Sequence, residues 1–144
     1  MHDDAYTTYG NVWYLGSDTN PYILCIGANR DYTGGALAIQ HGCKVFEQHA
    51  FYYRAVTSIT LPDGLVCIWD SAFAGNDGLS GKSIFIPGSV LYMGQTIFMY
   101  SRGMSLTLDC AATYRPDGWS EYWNLKNNPI ISATTYSTYW GQSR

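Results

Sequence analysis

Ile59-Thr60-Leu61-Pro62-Asp63-Gly64-Leu65-Val66-Cys67-Ile68-Trp69-Asp70-Ser71-Ala72-Phe73 decides how the chain folds, because the same order of residue types returns on both sides of it. Its opening triplet Ile59-Thr60-Leu61 lines up with Leu37-Ala38-Ile39 before it and with Ile84-Phe85-Ile86 and Leu106-Thr107-Leu108 after it, in steps of 22, 25 and 22 residues. The echo continues downstream of the first three triplets as Cys43, Leu65 and Val90, then Phe46, Ile68 and Met93, then Ala50-Phe51, Ala72-Phe73 and Ile97-Phe98. A period in the low twenties is that of a leucine-rich repeat.

Each triplet has apolar outer residues and a variable middle one, the period-2 mark of a strand with one buried face. Pro62-Asp63-Gly64 and Pro87-Gly88-Ser89 follow two of them. Proline fixes φ, glycine admits positive φ, and Asp or Ser bonds nearby backbone, so each strand ends there. One such unit cannot bury its apolar side alone. Neighbouring copies must stack, which places Phe51, Phe73 and Phe98 in a ladder. The expected fold is a β-rich solenoid, a short leucine-rich repeat array with one strand per repeat and non-repeat caps at both ends.

The segment from Ile59 to Phe73 resembles the unit of the BspA-like bacterial leucine-rich repeats, I-x-I-P-x-x-V-x-x-I-G-x-x-A-F-x-x-C. The next copy keeps Ile84-Phe85-Ile86-Pro87, Val90, Gly94 and Phe98. Pro116-Asp117-Gly118-Trp119 with Trp123-Asn124 is similar to the P-x-G-W…W-N ending of such arrays, and Trp13-Tyr14-Leu15-Gly16 with Asn20-Pro21-Tyr22 resembles their lead-in. The chain departs from the pattern in having Trp69 for glycine and no cysteine after each Ala-Phe pair. The resemblance covers roughly residues 11–124. It implies a non-catalytic binding or adhesion module displayed on a bacterial surface.

A chain of 144 residues, 47% apolar and 13% charged, suits one domain. Residues 1–10 read as a tail, 11–36 as a β-rich lead-in containing the strand-like Tyr22 to Ile26, 37–110 as the repeats, and 111–144 as a cap that ends in an edge strand from Ser132 onward. The step of 25 places a longer connection around Asn76 to Lys82. A net charge of −3 without any Lys/Arg run offers no footprint for nucleic acid. No apolar run reaches membrane-spanning length, so no membrane insertion is expected. Met1-His2-Asp3-Asp4 is acidic where a secretory signal begins basic, which leaves the compartment open.

Cys25, Cys43, Cys67 and Cys110 include no C-x-x-C pair, and the alignment of Cys43 with Leu65 and Val90 makes it a small core residue. All four thiols are expected to be free. His41 and His49 near Cys43 lack a third ligand or an orienting partner. Asp117 and Glu121, four residues apart, and the glycines of Thr33-Gly34-Gly35 and Gly75-Asn76-Asp77-Gly78 fit turns better than a carboxylate pair or a phosphate loop. The expectation is no enzyme, no metal and no cofactor.

What remains unusual is the aromatic load, with Tyr occurring 13 times and Trp 5 times. Tyr and Trp give large contact area at low entropic cost, as binding surfaces require. Tyr52, Tyr53, Tyr92, Tyr100, Tyr136, Tyr139 and Trp140 fall outside the repeat core; Trp119 and Trp123 fit an end cap. Two functions from different classes follow. In the first, Gln40, Thr60, Phe85 and Thr107 on the sheet, or Tyr136, Tyr139 and Trp140 at the C-terminal end, contact a protein or glycan surface. In the second, the chain is a structural protein of a cell surface or virus-like particle that self-assembles by adding its terminal edge strand or its acidic N-terminal tail to a neighbouring copy.

Overall fold

The computed structural model describes residues 5–99, 105–127, 130 and 134–144. In chain order the strands are β1 (Thr7–Tyr9), β2 (Val12–Leu15), β3 (Leu24–Ala28), β4 (Gly35–Ala38), β5 (Val45–Phe46), β6 (Val56–Thr60), β7 (Cys67–Ile68), β8 (Ser83–Ile86), β9 (Tyr92–Met93), β10 (Thr107–Cys110) and β11 (Ser137–Tyr139). They wind as a three-sided β-rich solenoid. One side carries the longer strands, in a β4-β6 pair and a β11-β10-β8 sheet. A second carries the two-residue strands, in the order β1-β2-β3-β5-β7-β9. The third side is built from turns.

Each coil therefore holds two strands where the sequence suggested one. The second is short because only one residue per coil points inward there: Phe46 pairs with Ile68 and Ile68 with Met93, all parallel and all buried. Between the two strand sides the chain turns as the proline-glycine chemistry requires, with Leu65 N–H donating to Pro62 O, Val90 to Pro87 and Trp119 to Pro116.

The turn side is bonded in alternation. Phe51, Phe73 and their odd-numbered neighbours donate across coils, Phe51 N–H to Ala72 O at 2.8 Å and Phe73 N–H to Ile97 O at 2.9 Å, while Ala50, Tyr52 and Ala74 donate back within their own turn. Alternation of this kind needs a left-handed residue at a fixed place. His49, Ser71 and Thr96 supply it with φ of 59°, 54° and 57°. In the second and third coils the hydroxyls of that position meet, Ser71 Oγ to Thr96 Oγ1 at 2.9 Å. Inside, Phe51 stacks on Phe73 at 5.4 Å and Phe73 on Phe98 at 5.7 Å. The ladder expected from the sequence is present and fully buried.

The fourth coil is displaced from its expected register. Leu108 lies beside Ile84 and Cys110 beside Ile86, so Thr107 faces Ser83 and Asp109 faces Phe85. The sequence alignment had set Leu106 against Ile84. A slip of two residues leaves the same residues facing inward, so Leu106, Leu108 and Cys110 are all buried and periodicity alone does not separate the two registers. The longer connection lies where it was expected. It holds a 3-10 turn at Asp77–Leu79 that buries Leu79, and β6 and β8 flank it in separate sheets.

At the N-terminal end Thr7–Tyr9, within the segment read as a tail, form β1 of a hairpin with β2. Gly10 at its tip has φ of +59°. The lead-in joins the solenoid when β3 pairs parallel with β5. Arg54 fastens it further, with guanidinium bonds to the carbonyls of Asn29 and Tyr32, both at 3.3 Å.

Candidate functional site

The long-strand side presents the one surface on which several of the residues singled out from the sequence come together. Ile84, Ile86, Leu108 and Cys110 point into the core, so their neighbours in β8 and β10 point out. Pairing of β10 with both β8 and β11 then sets two rows across three strands: Ser83, Thr107 and Ser137, followed by Phe85, Asp109 and Tyr139. Each step across a parallel sheet is about 4.8 Å, so a carboxylate stands midway between two aromatic residues. The Asp109 carboxylate forms no hydrogen bond or ion pair among the described residues. Tyr139 is 53% exposed.

Phe85 is partly covered by the chain's own C-terminal segment. After β11 the chain turns back over the end of β10, with Gly141 N–H donating to Ala112 O at 2.8 Å and Gln142 N–H to Cys110 O at 2.9 Å, and Arg144 lies over the Phe85 ring at 4.8 Å. Its guanidinium also donates to Leu61 O at 2.8 Å and pairs with Asp63 at 3.0 Å. Arg144 thus spans the break between β6 and β8. Beside it opens a cleft of about 390 Å³ whose lining includes Ala38, His41, Thr60, Pro62 and Asp63. Thr60 faces this cleft, one coil away from Phe85.

The other residues singled out from the sequence take different places. Gln40 serves its turn: its side-chain oxygen accepts Gly42 N–H at 2.6 Å and its N–H donates to Tyr14 Oη at 3.0 Å. Tyr136 is buried at the end of the phenylalanine ladder, edge-on to Phe98 at 6.4 Å, and donates its hydroxyl hydrogen to Phe98 O at 3.0 Å. Trp140 packs against Trp119 at 5.8 Å and Trp123 at 6.1 Å, closing the core. Tyr100 lies outside the described residues. Asp109 and Arg144 escaped the sequence reading because the two-residue slip hid the first and only the path of the returning chain reveals the second.

A further aromatic group sits on the turn side, where Tyr52 meets both His49 at 4.9 Å and Tyr53 at 4.7 Å. On the short-strand side Trp69 and Tyr92 are about half exposed. All four cysteines are free and buried. Desolvation pushes the Cys67 thiol from an ordinary 9.0 to about 11 and, with the charge of Asp109 adding to it, Cys110 to about 12. Burial, with a contact to Cys43, raises Cys25 well above the ordinary range too. Such thiols are protonated and poorly nucleophilic. Among the described residues, no three His, Cys, Asp or Glu side chains converge as metal ligands, and no helix is long and apolar enough to cross a membrane.

No protein-family model matches the chain, and neither does any curated protein or solved structure.

Proposed function

We propose that the chain is a non-catalytic binding or adhesion module of BspA-like leucine-rich repeat type whose long-strand side recognises a glycan or protein surface. The observation that carries this reading is the row Phe85–Asp109–Tyr139, a carboxylate with no partner among the described residues set between two aromatic residues on a parallel sheet. A polyhydroxylated ligand suits it: the exposed ring of Tyr139 offers an apolar face, Asp109 accepts hydroxyl hydrogens, and Ser83, Thr107 and Ser137 exchange hydrogen bonds alongside. The proline exits and the phenylalanine ladder favour the repeat type. The test is binding to an immobilised glycan panel by wild type, Asp109→Asn, Tyr139→Ala and, as a control, Tyr114→Ala, which is 73% exposed elsewhere. Binding lost about tenfold or more in the first two variants, with unchanged melts, supports the site; an unpaired-carboxylate contact is worth roughly 1.5–3 kcal/mol. Binding that survives both substitutions, or no binding to any member of the panel, overturns the glycan site.

A second reading, a self-assembling structural protein, is favoured by one feature: among the described residues β11 is the last strand of its sheet, paired on one side only.

A further inference from the structure

We infer that two copies of this chain pair through β11, antiparallel about a twofold axis at Thr138, so that two long-strand sheets join as β8-β10-β11-β11-β10-β8. The inference names the partner and the geometry for the second reading above, and it leaves the binding face of each copy outward.

The two ends of the solenoid differ in what they allow. At the N-terminal end β4 is also an edge strand, but on the short-strand side β3, β2 and β1 continue past the first coil by three strands, about 14 Å at the usual spacing. A partner brought against β4 meets that projection. At the C-terminal end the relation is reversed. The short-strand side stops at the single bridge between Met93 and Trp119, while β11 reaches one strand beyond β10. Among the described residues, the strand that projects furthest there is the one with an open edge.

Its chemistry lacks the devices that keep edges apart. Natural edges carry charges, prolines or bulges. Residues 134–143 contain no charged residue and no proline, and Arg144, the first charge after them, is held by Asp63 and Phe85 of its own chain. Pairing of β11 with β10 runs in register without a bulge from Ser137 to Tyr139. The inward side is already settled, with Thr138 Oγ1 accepting the Asn124 amide at 3.0 Å and Trp140 packed in the tryptophan cluster. What β11 offers outward is therefore its backbone edge and the exposed side chains of Ser137 and Tyr139. A twofold pair about Thr138 sets Ser137 of one copy across from Tyr139 of the other, twice, with no like charges opposed.

That pairing predicts a charge pattern that no other arrangement shares. Sedimentation velocity over a concentration series is expected to show wild type passing from monomer to dimer and no further. Ser137→Lys with Tyr139→Lys, which opposes two like charges at each end of the pair, is expected to stay monomeric. Ser137→Lys with Tyr139→Glu is expected to dimerise again, more weakly at high salt. Both positions are solvent-facing, so at concentrations low enough to keep wild type monomeric the thermal melts of the variants should match it. Amide exchange at Ser137 to Tyr139 in wild type needs no variant and should slow with concentration. A wild type that remains monomeric, one that grows beyond a dimer, a double-lysine variant that still dimerises, or exchange in β11 that ignores concentration overturns the inference. A monomeric wild type that binds a glycan on the panel removes the dimer and keeps the binding site; a dimer that binds none does the reverse.

Discussion

Asn76 holds Val56. The side-chain oxygen of Asn76 accepts the Val56 N–H at 2.9 Å, while its amide nitrogen donates to the carbonyls of Phe51 at 2.9 Å and Phe73 at 2.8 Å. The residue is completely buried, so a single amide ties the turn of the first coil to the start of β6 and to the turn of the second. A buried amide with its donors and acceptor all used is both a clamp and a liability, since its removal strands backbone groups that water does not reach.

Asn76→Ala should therefore cost about 2–4 kcal/mol, a few unmet buried groups at roughly 1–3 kcal/mol each with partial relaxation. Asn76→Asp should be no better, because a carboxylate cannot donate to the Phe51 and Phe73 carbonyls. Urea melts of both variants decide this. Wild-type stability in Asn76→Ala would show that the clamp is dispensable.

Phe73 lies between Phe51 and Phe98 and also meets Phe46 at 5.5 Å. Phe73→Ala should lose about 3–5 kcal/mol through cavity formation. Phe85→Ala removes an outward ring under the Arg144 guanidinium and should cost about 1 kcal/mol or less, the scale of an exposed cation–π contact. Equal shifts in denaturant midpoint would contradict the register of β8.

Tyr136 and Trp140 make the C-terminal segment a cap. Removing residues 134–144 exposes the Trp119 and Trp123 cluster and the end of the phenylalanine ladder, and should cost several kcal/mol. Tyr136→Phe, which keeps the ring and loses the bond to Phe98 O, should cost about 1 kcal/mol. Thermal melts separate the two. A truncated chain that melts like wild type would make the segment an accessory rather than a cap.

The raised thiols give the fold an alkaline limit. In the unfolded chain Cys67 and Cys110 ionise near the ordinary 9.0, whereas in the fold they hold their protons to about 11 and 12. Ionisation therefore favours the unfolded state first, so their contribution is intact below pH 9 and is lost as pH rises from there through 11 and 12. The melting temperature should be flat with respect to these groups from pH 6 to 8 and fall above pH 9, and Cys67→Val should shallow the fall. Alkylation without reductant should modify all four thiols in denaturant and proceed far more slowly in the native protein. Fewer than four adducts in denaturant would mean a disulfide.

Much of the architecture was legible in the chain itself. The strand triplets, the proline exits, the inward positions of Phe46, Ile68 and Met93 and the phenylalanine ladder are each repeated, and a repeated apolar position in a solenoid has one place to go, against its copy in the next coil. The insertion at Asn76 to Lys82 was visible as a lengthened step for the same reason. Local periodicity is silent on anything that a shift of two residues leaves unchanged. It therefore could not place Asp109 opposite Phe85, nor bring Tyr139 into the same row.

The sequence by itself determined that this chain is a short β-rich solenoid and which apolar residues fill it, because stacked copies of one pattern bury the same face. The tertiary structure decided which polar residues share the outer face, that Tyr136 and Trp140 close the core while Tyr139 stays exposed, and that Arg144 returns to Leu61 and Phe85. Those outcomes depend on contacts between segments as far as 83 residues apart, and no local preference encodes such a pairing.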